Sequence, residues 1–537
     1  MISDQLRSEV LDWIENDPDA NTANQLKHWL KEGNQTELEK CFAGFLQFGT
    51  AGMRGPVGPG PSCMNRAVVS RTATGILAFM KKNNLSSVVI GRDARHGSDA
   101  FAKDSAEIFA GGGMKTYVLP RVLPTPVLAF ALKNIKADVG IMVTASHNPA
   151  NDNGYKVYLG GKFDGVNYQG SQIISPIDFQ ISELIEKAEK QPVRASNYEI
   201  VDESVIDQYV LEVAKLATKP NSLKVIYTPL HGVGAETFIK VFEQSGFRSP
   251  IVVKEQVKPD PDFPTTAFPN PEEAGAIDMA LAYAKENDAD LVIANDPDAD
   301  RCAVAINDPA NGWRMLRGDE VGVLLGHYLI SKNSVNGLRI ANSLVSSSLL
   351  GKIAAKSGLE FKETLTGFKW ISKVENLLFG YEEALGYCVD AANVNDKDGI
   401  SAAVVIVTMV AELKERGISL NEYLEKIGHE YGFHLTDQIS LRFSDLKQID
   451  RLLKKVIDQP PTVLSGHALV SKENLSQSNL MPTPGIRLKY ENDIRVIIRP
   501  SGTEPKLKCY IEVVAASKNG AESRISQIKQ ALTKVLT

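Results

Sequence analysis

The apolar run Asp138-Val139-Gly140-Ile141-Met142-Val143 gives way at once to Thr144-Ala145-Ser146-His147-Asn148-Pro149 and the turn-rich Ala150-Asn151-Asp152-Asn153-Gly154. This reads as a buried strand ending in a loop. A serine where a strand becomes a loop stands where α/β scaffolds present reactive side chains.

The same rhythm recurs along the chain. Helical spacing over 67–81 leads to a strand at 87–90, then Gly91-Arg92-Asp93-Ala94-Arg95 and a helix over 100–111. A strand at 223–227 ends in Thr228-Pro229-Leu230-His231-Gly232-Val233-Gly234, and a third unit pairs a strand at 338–341 with a helix over 346–357. The apolar stretch 402–411 reads as a core helix. From about residue 440 the rhythm changes to a helix at 447–457 and short strands, including 494–498 and 507–513. Residues 1–45 read as polar helix with a stripe of Trp13, Ile14, Leu26, Trp29 and Leu30. The fold class is therefore α/β, and 537 residues imply several domains.

Bulk properties exclude some functions. A net charge of −6 and a pI near 5.9 argue against a general nucleic-acid binder. No apolar run is long enough for a bilayer, and the first residues lack the basic-then-apolar order of a signal peptide. Five scattered cysteines without a C-x-x-C pair suggest reduced thiols and a cytoplasmic protein.

Four stretches carry chemistry. Ser146 needs a base or a metal to become a nucleophile. On extended backbone His147 would point to the opposite face, which argues against a simple Ser–His pair, and no G-x-S-x-G surrounds the serine. A polar turn closing a strand is the plain alternative. In Asp290-Leu291-Val292-Ile293-Ala294-Asn295-Asp296-Pro297-Asp298-Ala299-Asp300-Arg301, three carboxylates alternate just past a buried strand. Extended backbone would aim them to one side, as a site for a hard divalent cation. An EF-hand fails, because Arg301 and Asn307 stand where that loop needs glycine and glutamate. A solvated acidic turn is the alternative. The glycine-rich Phe48-Gly49-Thr50-Ala51-Gly52-Met53-Arg54-Gly55 could bring amides and a guanidinium to a phosphate, or be a surface loop. Arg499-Pro500-Ser501-Gly502-Thr503-Glu504-Pro505-Lys506 is the densest anion-binding set in the chain. Gly232-Val233-Gly234 is half a dinucleotide fingerprint, but Thr237 holds its third glycine position, and no P-loop occurs.

These motifs, in order, resemble those of the α-D-phosphohexomutases, the phosphoglucomutase/phosphomannomutase superfamily. The resemblance spans the chain beyond residue 45 or so. It implies four α/β domains around a central cleft, the first three being similar mixed sandwiches and the fourth a smaller α+β domain. The expected spans are 1–205, 206–320, 321–440 and 441–537. It further implies that Ser146 carries a phosphoryl group and that Ser146, Asp296, Asp298 and Asp300 bind Mg²⁺. Arg54, Lys156 and His147 would take part in catalysis, Lys156 as a general acid or base, and Arg301 would approach the serine-bound phosphate. Arg92 and Asp93, in a G-x-D-x-R segment, would lie one layer behind. Gly367 and Lys369 in Thr366-Gly367-Phe368-Lys369-Trp370 would touch the sugar or its phosphate. Gly380-Tyr381-Glu382-Glu383-Ala384-Leu385-Gly386 resembles the sugar-recognition loop, with Glu382 the hydroxyl binder and Ala384 where serine is common. Arg499, Ser501, Gly502, Thr503 and Lys506 would hold the phosphate that is not reacting. Pro297 departs from the family's D-G-D-x-D-R pattern, so the loop is expected to keep its ligands with an altered shape.

The implied activity is a phosphosugar mutase working through a sugar bisphosphate, with glucose 1,6-bisphosphate as activator. Glucose 1-phosphate and glucose 6-phosphate are the favoured pair; mannose and pentose phosphates are alternatives. The expected partners are small sugar phosphates, with no nucleic acid or membrane, in a monomer or weak homodimer. A phosphatase and a non-catalytic sugar-phosphate sensor are the rivals.

Overall fold

The structure is a computed structural model that describes residues 2–49, 52–189, 191–310, 312–334, 336–443, 445–478, 482–501 and 506–536. Internal contacts group the chain into two compact units, Met1–Leu316 with Gly386–Thr408, and Arg317–Leu385 with Met409–Thr537.

The first unit opens with three helices, Asp4–Asn16, Ala20–Glu32 and Gln35–Cys41, capped by the side chains of Ser3, Asp19 and Asn34. Val10, Leu26 and Leu38 form their small core, with Trp13, Ile14, Trp29 and Leu30 packed around it, so the expected stripe is the packing face. A mixed sheet follows, in the order Gly52–Pro56, Asp152–Leu159, Val139–Val143, Ser87–Arg92, Lys115–Val118 and Glu199–Ile200. Val139–Val143 is buried throughout and pairs parallel to Ser87–Arg92 and antiparallel to Asp152–Leu159. Continuous apolarity is what a strand covered on both faces requires. The second sheet runs Ile251–Val252, Val225–Thr228, Leu291–Ala294, Ala303–Asp308 and Gly312–Met315. Val225–Thr228 and Leu291–Ala294 are parallel, so both release their loops at the same edge.

The glycine pair after Val225–Thr228 has a packing role. A Cβ on Gly232 would fall 2.2 Å from Pro297 Cα, and Val233 N donates to Pro297 O at 2.8 Å. The loop that carries the aspartates therefore rests directly on this turn.

In the second unit, Glu360–Thr364, Arg339–Ser343 and Leu377–Glu382 are parallel strands. A six-stranded antiparallel sheet runs Phe433–Arg442, Lys506–Ala515, Ile494–Pro500, Ile486–Tyr490, His467–Asn474 and Val463–Leu464. It shares one core with residues of the helices Leu446–Asp458 and Lys518–Leu536, including Ile449, Leu453, Ile528 and Leu532. A short helix covers Phe368–Ile371. Gly367, at a φ of 102° that other residues rarely adopt, turns the chain sharply enough for the helix to start at once. No helix among the described residues is long and apolar enough to cross a membrane. All five cysteines are buried and unpaired by disulfides.

Candidate active site

Ser146 lies three residues beyond Val139–Val143 and is 1% exposed. Its φ of 52° is left-handed, unusual for a serine. Its amide donates to Thr144 Oγ1 at 2.8 Å, and its Oγ donates to Asp296 Oδ2 at 2.5 Å. The left-handed backbone overturns the expectation about His147. Strand alternation does not apply, and His147 Nδ1 stands 3.2 Å from Ser146 Oγ. His147 Nε2 stands 3.4 Å from Arg301 Nη2. Burial, then the charges of Arg301 and Arg54, hold the His147 pKa well below the usual histidine range, so the ring is neutral at pH 7.

The aspartates also converge by another route than alternation. Residues 297–299 form a turn and bend, with Ala299 at a φ of 54°, rather than extended backbone. Ligand oxygens of Asp296, Asp298 and Asp300 nevertheless lie within 4.8 Å of one another, and all three residues are fully buried. Lys156 Nζ bridges Asp298 Oδ2 at 2.7 Å and Asp300 Oδ2 at 2.8 Å. Burial disfavours the Lys156 ammonium, but these two carboxylates outweigh it and raise its pKa. Thr125 Oγ1 donates to Asp298 Oδ2 at 2.5 Å. Asp296 has no such cation, and burial followed by the charges of Asp298 and Asp300 pushes its pKa up to about 8. Burial also works against ionisation of Asp300, yet Lys156, Lys397 and Arg301 hold its pKa far below the carboxylate range.

The donor set fits a hard divalent cation. Asp298 Oδ1 and Asp300 Oδ1 are buried without a hydrogen-bond partner, beside an Asp296 that its own neighbours do not neutralise. Orphaned carboxylate oxygens gathered at this density are suited to a cation.

Register brings in Arg54. Gly52–Pro56 pairs with Asp152–Leu159 so that Arg54 faces Gly154 and Gly52 faces Lys156. Arg54 Nη1 reaches Ala145 O at 3.5 Å and Asn148 Oδ1 at 3.4 Å. Arg301 contacts Asn270 Oδ1 at 3.4 Å and Glu272 Oε2 at 3.6 Å. Ser146, His147, Lys156, Arg54, the three aspartates and Arg301 are thus one cluster.

Residues 46–192, 207–312, 317–431 and 441–523 match the models of the phosphoglucomutase/phosphomannomutase α/β/α domains I, II and III and of the C-terminal domain, in that order. The chain belongs to the phosphoglucomutase/phosphomannomutase family. A Haemophilus influenzae protein named "Probable phosphomannomutase" is 44% identical, over 88% of this chain and 98% of its own. A human phosphopentomutase is 33% identical, over 99% of this chain and 95% of its own. A Paramecium phosphoglucomutase, pp63/parafusin in its open form, shares the fold with a TM-score of 0.70 at 18% identity, covering 92% of this chain and 95% of its own. Like its phosphomutase relatives, the chain is an enzyme of the phosphotransferase isomerase type.

The remaining family-motif positions lie in the second unit. Gly367 precedes the Phe368–Ile371 helix, and Lys369 Nζ stands 5.6 Å over the Trp370 ring. Glu382 ends the strand Leu377–Glu382 rather than lying in a loop, and Ala384 is half-buried just beyond it. The adjacent Glu383 turns inward, accepting from Ser343 Oγ at 2.8 Å and Ser346 Oγ at 3.0 Å. Arg499 lies in the strand Ile494–Pro500, and Ser501 N donates to Lys506 O at 2.8 Å, closing the loop's base. Gly502 and Thr503 lie outside the described residues.

Sequence reasoning missed three members of this cluster. Lys397 Nζ stands 3.3 Å from Asp300 Oδ2, Thr125 bonds Asp298, and Arg95 grips the serine loop. In Asn395-Asp396-Lys397-Asp398-Gly399 the one signal was a glycine behind alternating charges. A Cβ on Gly399 would fall 2.1 Å from Arg301 O, so this turn packs against the aspartate loop. Of the G-x-D-x-R pair, Arg92 faces the exposed Asp99 at 2.9 Å, whereas Asp93 is buried behind the site, bonded by Arg95 N and Ser98 Oγ.

Proposed function

We propose that this chain interconverts glucose 1-phosphate and glucose 6-phosphate, with Ser146 as the residue that gives and takes the phosphoryl group. The observation that carries this reading is the 2.5 Å contact between Ser146 Oγ and Asp296 of the buried aspartate group. Asp296, Asp298, Asp300 and the Ser146 oxygen would hold Mg²⁺, which supplies positive charge to the transferring phosphoryl oxygens.

The chain's own groups divide the remaining work. Neutral His147, at 3.2 Å, is placed to take the Ser146 proton when the phosphoryl group returns, once the hydroxyl turns from Asp296 toward Nδ1. Lys156, held charged by two carboxylates, acts as a donor and a fixed positive charge rather than as a base. Arg54 and Arg301 supply guanidinium groups to the phosphate on Ser146. Gly367, Lys369, Glu382 and Ala384 contact the sugar. The loop of Arg499, Ser501, Gly502, Thr503 and Lys506 grips the phosphate that is not reacting. Glucose 1,6-bisphosphate is both the intermediate that reverses in the site and the activator that loads Ser146. The four-domain division at 205, 320 and 440, and a cytoplasmic location, belong to the same reading.

Pentose phosphates are the second reading. The human, Pongo abelii and mouse relatives named phosphopentomutase, at 33% identity, favour it. A coupled assay with Mg²⁺ and a trace of glucose 1,6-bisphosphate decides among the sugars when glucose 1-phosphate, mannose 1-phosphate and ribose 1-phosphate are offered in parallel. Isomerisation of glucose 1-phosphate, lost in Ser146→Ala, is expected. Preference for ribose 1-phosphate would transfer the assignment to pentoses. Release of inorganic phosphate alone would make the protein a phosphatase, and binding without turnover would make it a sensor.

A further inference from the structure

The serine loop is held from behind by one side chain. Arg95 Nη2 donates to Ser146 O at 2.6 Å and Asn148 O at 2.5 Å, and its Nη1 donates to Pro149 O at 2.7 Å and Asp152 O at 2.9 Å. The side chain is 1% exposed. Its guanidinium lies 4.9 Å over the Phe263 ring, and its Nε stands 3.5 Å from Asp93 Oδ2. Asp93 Oδ1 in turn accepts from Arg95 N at 3.0 Å and Ser98 Oγ at 2.7 Å.

A guanidinium buried this deeply is costly to desolvate, and a single ion pair does not offset that cost. Four carbonyl oxygens converging on one fork do, because the planar donors match them in fixed directions. What these contacts fix is the segment that contains Ser146 at a φ of 52°. A left-handed serine persists only when its surroundings over-determine it. Here Thr144 Oγ1 holds the Ser146 amide and Arg95 holds its carbonyl. That backbone brings both Asp296 and His147 to Ser146 Oγ.

We propose that Arg95 is a positioning residue for phosphoryl transfer, fixing the left-handed turn that aims Ser146 Oγ at Asp296. This rests on the mutase reading given above. Arg95 touches neither Asp296, Asp298 and Asp300 nor the serine hydroxyl by any hydrogen bond described; its charge acts on Asp298 at a distance, and Arg95→Lys keeps that charge while losing the placement. A lysine at the same position keeps the charge and cannot reach four carbonyls.

The test compares full-length parent, Arg95→Lys, Arg95→Ala and Ser146→Ala. Arg95→Lys is expected to lower kcat about 100-fold, the effect of misplacing a reacting group by about 1 Å. Its KM for the sugar phosphate and its Mg²⁺ affinity should stay within about twofold of the parent, a pattern that general unfolding would not give. Guanidinium ion should restore part of the kcat of Arg95→Ala, and methylammonium should not. Hydrogen exchange over residues 144–153 should rise in both Arg95 variants while the aspartate loop keeps its protection. A kcat for Arg95→Lys within twofold of the parent would overturn the proposal. So would loss of protection spread evenly over the unit, or rescue by any stabilising osmolyte, since each indicates a purely structural part. If the parent itself turns over no sugar phosphate, the mutase reading fails, while the exchange pattern still decides whether Arg95 holds the serine turn.

Discussion

Two groups of buried carboxylates lie in the two units of this protein, and they are partnered in opposite ways. In the first unit Asp298 Oδ1 and Asp300 Oδ1 have no hydrogen-bond partner, and the pKa of Asp296 is pushed up to about 8. In the second unit Glu512 is 3% exposed and its two oxygens are satisfied. Its Oε1 accepts from Ser347 Oγ at 2.7 Å and Ser348 N at 2.8 Å and lies 3.0 Å from His434 Nδ1, while Arg495 Nη2 meets Oε2 at 2.8 Å. Burial raises the Glu512 pKa, but the Arg495 charge and the His434 contact outweigh it and bring it down to about 2. Burial of charge is common to both. What separates a site from a joint is whether the protein supplies the counter-charge itself or leaves oxygens for something that arrives.

The largest expected effect tests whether the first group serves chemistry. Ser146→Ala removes the hydroxyl bonded to Asp296, and mutase turnover should fall by at least about 10⁴-fold with the melting temperature little changed. A variant retaining a tenth of parent activity in the coupled assay would separate the aspartates from the serine and dissolve the proposed site.

Asp296→Asn then tests the charge imbalance. Mg²⁺ affinity, read by titration calorimetry, should fall by at least about 100-fold, more than loss of an outer-layer partner costs. In chelator at pH 8 the same variant should be more stable than the parent, by about 2 kcal/mol, because an ill-compensated buried charge is gone. Glu512→Gln should do the reverse: stability falls by about 3 kcal/mol, since Arg495 and His434 lose their buried anion, and Mg²⁺ affinity does not move. If both variants were destabilised equally in chelator, the contrast between site and joint would be broken.

How much of this could be read from the chain alone follows the same division. Ser146 and the three aspartates were legible because each motif is contiguous and follows an apolar strand. The geometry that unites them was not. Neither the left-handed φ of Ser146 nor the turn at 297–299 has a glycine to announce it. The first is held by Arg95, 51 residues away, together with the neighbouring Thr144, and the second by Gly232 against Pro297. Lys397 was invisible because its partner Asp300 is 97 residues away in sequence and in contact only through the fold. In the second unit, family resemblance marked the loops at Lys369, Glu382 and Arg499. No motif pointed to Glu512, which sits inside an ordinary alternating strand.

Acid titration sharpens the joint further. Glu512 has its pKa lowered to about 2 in the fold, against about 4.3 in an unfolded chain. Its stabilisation is therefore complete above about pH 4.3 and is lost as pH falls toward 2, an effect of about 3 kcal/mol. Asp319 has the opposite sign. Burial lifts its pKa to about 6, although Ser347 N, Thr436 Oγ1 and Tyr381 OH all donate to it. Asp319 then holds an extra proton in the fold between about pH 4 and pH 6, so its own contribution to stability declines across that window by about 3 kcal/mol and is level above it. Denaturant melts from pH 3 to 7 should show both limbs. Glu512→Gln should shrink the rise, and Asp319→Asn should make the decline shallower, the rest of it belonging to Asp296 and Asp398, whose pKa values burial also raises. Identical profiles in the three proteins would mean that neither carboxyl titrates differently on folding.

The smallest effect isolates the reason that the joint is strong. Arg495 faces a second carboxylate, Glu363, at 3.9 Å, and Glu363 also pairs with Arg487. The side chain of Glu363 is 37% exposed, against 3% for Glu512. Water and salt already screen the exposed pair, and its long side chains lose rotamer freedom to hold it. Glu363→Gln should therefore cost less than about 1 kcal/mol, and that loss should shrink further in molar salt. The Glu512→Gln loss should persist in the same salt, because counter-ions do not reach its buried oxygens. With Arg495 common to both pairs, a Glu363 effect as large as the Glu512 effect would show that the guanidinium itself holds the joint, and that the satisfied buried carboxylate does not.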